Sequence, residues 1–257
     1  MGKYILSPQK REHPTKAELA LLNRRLSHDA SVEFNGIHTA LYNLRRGMDI
    51  SPVADRLYAK STHVRRILLA LELLGQNKRT HQQYSLNDLL EALTVDANRV
   101  GEDEGIIVEN DTQETITVDN EASVVYMQLY NAVTNAFESY HGDIGEMRGG
   151  SIRVHARVHL LSEQDHGHLG PHQALYQPGE RFVVVSVADQ GKGIEENILP
   201  TIFRDGVTSK RKGSGIGLAL SDYICDYLHG FLRVESAVGI GTTFSLFFPA
   251  GYKRDNV

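Results

Sequence analysis

Three glycines spaced by single residues, Gly213, Gly215 and Gly217, precede an apolar helix-forming run in the segment GSGIGLAL. A glycine turn that opens a helix is typical of a phosphate site, because the free amides and the dipole of the helix attract negative charge. The G-x-G-x-x-G of dinucleotide-binding folds is not matched, and the preceding TSKRK is too charged for a buried strand. The P-loop pattern does not occur in the chain. A third kind of nucleotide site is therefore needed.

Two asparagines in a predicted long helix, residues 121–140, have side chains suited to such a site. Asn131 and Asn135 lie about one turn apart and so project from one face. A neutral amide oxygen can ligate Mg²⁺, which keeps most of its coordination shell for water and phosphate oxygens. The pair therefore indicates a possible magnesium and phosphate contact.

A carboxylate with two following glycines has the types expected around an adenine base. Asp189 ends the apolar run FVVVSVAD, where its carboxylate could accept the exocyclic amine of adenine. Gly191 and Gly193 allow the chain to turn against the base without a Cβ in the way. We interpret the segment DQGKGI as the turn that recognises the base.

The chain resembles the GHKL ATP-binding superfamily and, within it, the sensor histidine kinases. The resemblance covers roughly residues 85–250, and five segments carry it in the family's order: NAVTNAFES (131–139), DQGKGI (189–194), IFRDGVTSK (202–210), GSGIGLAL (213–220) and GIGTTFSLFFP (239–249). It implies ATP and Mg²⁺ as cofactors, with Asn135 binding the metal and Asn131 contacting phosphates. It also implies that Asp189 recognises adenine and that Thr242 approaches the same ring.

The resemblance implies a further group of nucleotide contacts between the glycine motifs. The segment IFRDGVTSKRK is similar to the lid over the nucleotide in this family, and Phe203 fits the lid phenylalanine. Lys210 and the two basic residues after it could reach the triphosphate, or could form only a solvated basic loop. Leu218, in the same motif as the three glycines, is counted with the nucleotide-binding residues.

The residue one turn before Asn135 separates two chemistries within the superfamily. Hydrolysing members, such as gyrase, the mismatch-repair ATPase and the heat-shock chaperone, carry a Glu there as the base that activates water. This chain has Asn131, which cannot accept a proton. We therefore expect the γ-phosphoryl group to go to a nucleophile other than water.

His28 is the predicted nucleophile. At about 100° per residue, the apolar residues of 19–44 cluster on one side of a helix and His28 lies roughly opposite them. Asp29 follows it, where histidine kinases keep an acid that orients the ring and raises its nucleophilicity. His38 and His63 lack a following acid and are expected to be surface residues. Val32 replaces the usual Thr or Asn, which puts phosphatase activity in doubt.

Two different hydrophobic periods divide the chain. Apolar residues recur at three-and-four spacing in residues 16–47 and again in 53–75, which predicts a helical hairpin. A lone hairpin exposes one apolar stripe, so we expect a homodimer through a four-helix bundle. The remainder mixes helices and strands, as in an α/β sandwich. The predicted fold class is therefore α+β, and the resemblance implies that residues 1–79 form a dimerisation and phosphotransfer domain and residues 80–257 an ATP-binding domain.

The second domain has a definite predicted order of elements after a polar joint at 76–84. Helices are predicted over 85–101, 121–140 and 215–230, strands over 105–110, 114–119, 150–161 and 181–191, and a strand hairpin over 230–250. Between two of these strands, DHGHLGPH contains His166, His168 and His172. No acidic or cysteine partner has a clear metal-site spacing, so a solvated insertion is expected there.

Composition limits the partners and the compartment. A net charge of −5 gives no electrostatic reason to expect nucleic acid, and Cys225 alone cannot form an internal disulfide. No apolar run approaches the roughly 18 residues that span a bilayer. We expect a cytoplasmic chain, or the cytoplasmic part of a larger membrane-bound sensor.

These features predict ATP-dependent autophosphorylation of His28, followed by transfer to an aspartate of a response-regulator receiver domain. Two alternatives remain open: a protein Ser/Thr kinase of the same fold, and a phosphotransfer or scaffold protein without catalysis.

Overall fold

The computed structural model describes most of the predicted ATP-binding domain and a few residues before it. The described residues are 1–7, 31, 35, 37–39, 42–46, 82–101, 105–140, 149–203, 218 and 221–253. The chain divides into two compact units, Arg11–Arg79 and a sheet unit made of Met1–Lys10 with Thr80–Val257. In the first of these, the described positions between Ser31 and Arg45 are α-helical, as the hydrophobic period predicts. The predicted helix over 53–75 lies outside the described residues.

The described part of the sheet unit is an α+β fold, in agreement with the predicted class. Its elements in chain order are β1 (Gly2–Leu6), β2 (Gln82–Ser85), α1 (Leu86–Gly101), β3 (Ile106–Asn110), β4 (Thr117–Asn120), α2 (Ala122–Ser139), β5 (Gly150–Leu160), α3 (Glu163–His166), a 3₁₀ helix (Gly170–Leu175), β6 (Arg181–Asp189), a second 3₁₀ helix (Leu199–Thr201), α4 (Ser221–Tyr227), β7 (Phe231–Ala237) and β8 (Gly241–Pro249). The predicted helices over 85–101 and 121–140 and the terminal hairpin over 230–250 are confirmed to within a few residues, and the described part of the predicted helix over 215–230 contains α4.

The main sheet is mixed, with strand order β1-β7-β8-β6-β5-β3 among the described residues. β3 and β5 run parallel, whereas the other neighbouring strands are antiparallel. β6 lies inside the sheet, and its run of Phe and Val is buried on both faces, as expected for a covered central strand. β2 and β4 form a separate two-stranded sheet. The central position of β6 fixes where Asp189 emerges.

One face of the sheet packs against α1 and α2. α1 buries Leu86, Leu90, Leu93 and Ala97, which have the three-and-four spacing of one helical face. On β6, Val183, Val185, Val187 and Asp189 share a face, because side chains alternate along a strand. The Asp189 carboxylate accepts a hydrogen bond from Ser139 at the end of α2, so this is the helix side.

The opposite face of the sheet is covered by residues 161–180. Leu161, Leu169 and Tyr176 of this insertion form a second buried cluster with Phe182, Val184, Phe231 and Phe247 of the strands. The predicted solvated insertion is therefore wrong: the segment folds into α3 and a 3₁₀ helix, and His172 within it is buried. The physical reason is that the aromatic side chains on this face would otherwise be exposed to water.

A buried carboxylate attaches the insertion to the sheet. Asp165 accepts hydrogen bonds from Arg233 of β7 at 2.6 Å, from Ser162 at 2.6 Å and from His159 at 2.9 Å. Burial alone would raise the pKa of Asp165, but the hydrogen bonds from Ser162 and His159 and the Arg233 charge outweigh it and hold that pKa below its usual value. The ionised carboxylate is thus compensated by three partners.

Two short strands were not predicted from the sequence. β1 pairs with β7 from Gly2↔Ser236 to Leu6↔Leu232, so the first residues of the chain lie in the sheet unit and not with the rest of 1–79. β2 occupies part of the predicted polar joint and pairs with β4. Both strands have five or fewer residues and pair with distant segments, so their own periodicity is too brief to detect.

Among the helices that the structure describes, none is both long and apolar enough to cross a bilayer.

The insertion's contribution to stability can be measured by truncating Leu169, whose side chain is 0% exposed. We expect Leu169→Ala to lower the free energy of unfolding by about 2–5 kcal/mol, because it leaves a cavity in the second cluster. Urea denaturation of the whole chain measures this change. Leu160→Ala is the matched control, since Leu160 is 61% exposed and its loss should cost less than about 0.5 kcal/mol. Equal effects of the two substitutions would contradict the packed insertion.

Candidate functional site

The site is organised around the carboxylate of Asp189 at the end of β6. Its Oδ1 accepts hydrogen bonds from Ser139 Oγ at 2.9 Å, from the backbone N–H of Gly191 at 2.9 Å and from the backbone N–H of Thr242 at 3.3 Å. The three donors come from the end of α2, the turn after β6 and the start of β8. All three fall on one oxygen, so among the described residues Oδ2 remains available to an exocyclic amine.

Burial changes the acidity of this group. Asp189 is 7% exposed, and its burial raises the pKa above the ordinary value, although the hydrogen bonds from Gly191, Ser139 and Thr242 act in the opposite direction. Because folding raises this pKa, the group costs folding free energy that is complete above the raised pKa and disappears only as the pH falls below the ordinary value of an Asp carboxyl. A polar group retained at such a cost is typical of a functional position.

The turn after Asp189 has no room for side chains at its glycines. A Cβ on Gly191 would lie 1.9 Å from Ser139 Oγ, and one on Gly193 would lie 2.1 Å from the carbonyl oxygen of Ala237. Gly193 also has a φ of +70°, which disfavours other residues. The backbone N–H of Lys192 donates to the Ser139 carbonyl at 3.0 Å. The turn is therefore packed closely between the end of α2 and the β7–β8 hairpin.

Thr242 lies beside Asp189 and also pairs with a second hydroxyl. Thr242 is buried, and its Oγ1 lies 2.9 Å from Ser236 Oγ. Ser236 in turn accepts a hydrogen bond at 2.8 Å from the backbone N–H of Ile194, the last residue of the DQGKGI turn. The two hydroxyls thus link the hairpin to the turn. The predicted proximity of Thr242 to Asp189 is observed, whereas its contact with adenine stays a prediction.

α2 carries the two predicted asparagines. Asn131 is buried and has interacting neighbours, and Asn135 is half-buried one turn later. The Asn135 side-chain nitrogen is buried with no hydrogen-bond partner among the described residues. An amide with unmet hydrogen-bonding capacity is expected where a ligand completes the site. Asn135 therefore fits the predicted role beside a metal-bound phosphate.

The remaining predicted residues divide into two groups. Phe203 is buried and stacks on Tyr4 of β1 with ring centroids 5.7 Å apart, and Leu218 is half-buried at a helical position. The others lie outside the described residues, and their roles stay predictions: His28, Asp29, Lys210, Gly213, Gly215 and Gly217. The described structure brings together Asp189, Gly191 and Thr242, and it places Asn131 and Asn135 on the helix whose last residue, Ser139, contacts Asp189.

Sequence reasoning missed two residues of the site. Ser139 donates to Asp189 and faces Gly191, and its position four residues after Asn135 on the same helical face was an available signal. Ser236 offers no comparable signal, because its contacts with Ile194 and Thr242 depend on how β7 lies against β8.

Comparison with known proteins agrees with this geometry. Residues 120–252 match the family described as "Histidine kinase-, DNA gyrase B-, and HSP90-like ATPase", a range that covers just over half of the chain. The chain belongs to this family. The predicted resemblance is thereby confirmed, and membership of this ATPase family supports ATP as the nucleotide that the domain binds.

Similar curated proteins are sensor kinases. The chain is 25% identical over 241 residues to the "Autoinducer 2 sensor kinase/phosphatase LuxQ" of Vibrio harveyi, covering 88% of this chain and 26% of LuxQ. It is 24% identical over 255 residues to the "Sensory histidine kinase/phosphatase NtrB" of Vibrio alginolyticus, covering 95% of this chain and 66% of NtrB. The chain thus spans about a quarter of the length of LuxQ and just under two thirds of the length of NtrB.

Solved structures share the fold. The catalytic domain of histidine kinase ThkA superposes with a TM-score of 0.52 at 22% identity, covering 67% of this chain and 97% of that domain. Full-length ShkA in complex with AMPPNP gives a TM-score of 0.58 at 18% identity, covering 95% of this chain and 48% of ShkA. At these identities the comparisons show the fold alone.

The raised pKa of Asp189 predicts a pH dependence of nucleotide binding. ATP affinity should fall as the pH is lowered through that pKa, because the protonated carboxyl accepts the adenine amine less well. Asp189→Asn should weaken ATP binding about 10- to 100-fold. If the amide oxygen accepts from the three donors, the amide NH₂ group faces the adenine amine; if the amide is flipped, its NH₂ group faces the three donors. Isothermal calorimetry across a pH series measures both effects. A variant that keeps the wild-type pH profile would rule out Asp189 as the titrating group.

The close packing of the turn at Gly191 predicts that a side chain there will reduce both stability and ATP affinity. Gly191→Ala should reduce stability by about 1–3 kcal/mol and lower ATP affinity at least about tenfold, because the new Cβ overlaps Ser139 Oγ. Gly251→Ala is the control, since a Cβ there meets nothing within 4 Å. Thermal unfolding with and without ATP distinguishes them. Unchanged ATP-induced stabilisation in Gly191→Ala would show that this turn does not approach the nucleotide.

Proposed function

We propose that this chain is a histidine protein kinase that transfers the γ-phosphoryl group of ATP to His28 and then to an aspartate of a response-regulator receiver domain. The observation that carries the proposal is the amide at Asn131, one turn before Asn135 on the helix that ends at the Asp189 site. A hydrolase of this family would have its water-activating carboxylate there. Without that base, a positioned imidazole is the better nucleophile.

The described residues would bind and orient the nucleotide. Asp189 accepts the adenine amine, while Gly191 and Gly193 let the turn lie against the base. Asn135 would hold Mg²⁺ through its amide oxygen, and the ion would neutralise charge on the phosphates. The glycine segment with Gly213, Gly215 and Gly217, together with Lys210, would surround the triphosphate. Catalysis then rests on positioning and on charge stabilisation.

His28 supplies the chemistry of the proposed transfer. One ring nitrogen forms a bond to the γ-phosphorus as the bond to the leaving ADP oxygen breaks. Asp29 would orient the imidazole and accept a hydrogen bond from its other nitrogen, which raises the nucleophilicity of the attacking one. Transfer to the receiver aspartate then regenerates neutral histidine. Asp29 is thus a catalytic partner and not the acceptor.

A dimeric helical bundle is the proposed frame for His28. Among the described helical positions, Tyr42 and Leu44 are exposed in the single chain, and Leu44, on the predicted apolar face, is 49% exposed. Pairing the hairpins of two chains over 11–79 would cover such residues. The first ten residues would remain with the ATP-binding domain, which places that domain before and after the hairpin in sequence.

The proposed partner is a response-regulator receiver domain. One solved structure that shares this fold is titled histidine kinase ThkA in complex with response regulator protein TrrA, with a TM-score of 0.53 at 18% identity. The names of LuxQ and NtrB include phosphatase, but Val32 lacks the hydroxyl or amide of the usual Thr or Asn, so we propose weak phosphatase activity. We place the chain in the cytoplasm, where ATP and Mg²⁺ are available.

Incubation with γ-labelled ATP and Mg²⁺ tests the proposal. We expect a base-stable, acid-labile label that His28→Ala abolishes, because the acceptor nitrogen is gone. Asn135→Ala should reduce labelling at least about 100-fold, since Mg²⁺ would lose its protein ligand and the phosphates would be less well positioned. His38→Ala is the matched control: His38 is exposed at a helical position and should retain full labelling.

Other labels would identify the alternatives. An acid-stable label on a partner serine would favour a Ser/Thr kinase, and the absence of ATP binding by calorimetry would favour a scaffold. Persistent acid-labile label in His28→Ala would overturn the assignment of the acceptor.

A further inference from the structure

The strand β1, far in sequence from the nucleotide site, packs against residues that continue from the base-binding turn. β1 pairs with β7 over Gly2–Leu6, and successive side chains point to opposite faces of the sheet. Ile5 packs against the second cluster on the insertion side. Tyr4 lies on the helix side, where it stacks on Phe203 with centroids 5.7 Å apart and an interplanar angle of 23°.

The segment from Ile194 to Phe203 lies over β1. A Cβ on Gly2 would lie 2.8 Å from Leu199 Cδ1 and 3.0 Å from Glu196 Cγ, so this glycine allows the segment to approach closely. Leu199 and Phe203 are buried, and Tyr4 and Gly2 contribute the strand's side of that burial. Within the segment, the backbone N–H groups of Ile198 and Leu199 donate to the Glu195 carbonyl and that of Thr201 donates to the Ile198 carbonyl, which makes only short helical turns. The contacts with β1 add to these local bonds.

A continuous set of contacts connects β1 with Asp189. Gly2 is the register partner of Ser236 on β7. Ser236 Oγ accepts from the Ile194 N–H at 2.8 Å and lies 2.9 Å from Thr242 Oγ1. The backbone N–H of Thr242 then donates to Asp189. The same strand pair thus supports both ends of the segment, at Ile194 through Ser236 and at Phe203 through Tyr4.

We propose that β1 positions the nucleotide site, with Tyr4 as the positioning residue that holds the Ile194–Phe203 segment in its binding-competent arrangement through the Tyr4–Phe203 stack. The inference rests on the proposed ATP binding and adds a residue that does not touch the nucleotide. Apparent affinity falls in proportion to the competent fraction of the protein, so loosening the segment raises the apparent Kd.

Substitutions at two adjacent residues of β1 test this role. Tyr4→Ala should raise the Kd for ADP about three- to tenfold, because that is the range expected for loss of one aromatic pair. Tyr4→Phe keeps the ring, so its Kd should stay within about twofold of the wild-type value. Ile5→Ala is the matched control, because it shortens a side chain on the same strand that faces the second cluster. It should lower the melting temperature but leave the Kd within about twofold. Calorimetry with ADP, well below the melting temperature, measures each value.

Steady-state labelling gives a second readout. Tyr4→Ala should raise the KM for ATP about three- to tenfold and leave the rate at saturating ATP within about twofold, because a merely structural defect would remove active protein and lower the maximal rate. If Tyr4→Ala and Ile5→Ala change the Kd equally, or if neither changes it, the positioning role is overturned while ATP binding stands. If the wild-type chain binds no ADP, the proposed function fails and this inference fails with it.

Discussion

The structure of the site depends on one buried carboxylate. Asp189 is removed from water, and its charged form is tolerated only because donors converge on it from Ser139, Gly191 and Thr242. These donors belong to a helix end, a turn and a hairpin that are far apart in sequence. The site therefore exists only when α2, β6 and β8 have packed correctly, so correct folding and nucleotide recognition depend on the same contacts.

Sequence periodicity predicted the elements that are long and keep one hydrophobic pattern along their length. α1 and α2 have helical spacing over at least four turns, β6 has a continuous apolar run, and the β7–β8 hairpin has two glycines at its turn. The missed elements are short and depend on distant partners. β1 needs β7, and the insertion needs the aromatic face of the sheet, so neither can be inferred from local pattern alone.

The same distinction applies to the site. The positions of Asp189, Gly191 and Asn135 at a strand end, in a turn and on a helix face could be predicted because they are set locally, whereas their contacts with ATP stay predictions. Ser139 was recoverable from helical spacing, but the roles of Ser236 and Tyr4 depend on strand register and on ring packing. Residue type predicts what a group can do, whereas long-range register decides which groups meet.

β1 and the insertion of residues 161–180 both contact β7. Without β1 it would be an exposed edge strand, and β1 covers it with a short strand whose Lys3 is exposed, a combination that discourages further pairing. At one end of β7, Arg233 binds Asp165 of the insertion; at the other, Ser236 supports the base-binding turn. Because β7 is paired on both sides, backbone hydrogen bonds from β1 and β8 hold Arg233 and Ser236 in register. β1 and the insertion thus stabilise the strand on which the nucleotide turn rests, while the groups that would contact ATP come from α2, β6 and β8.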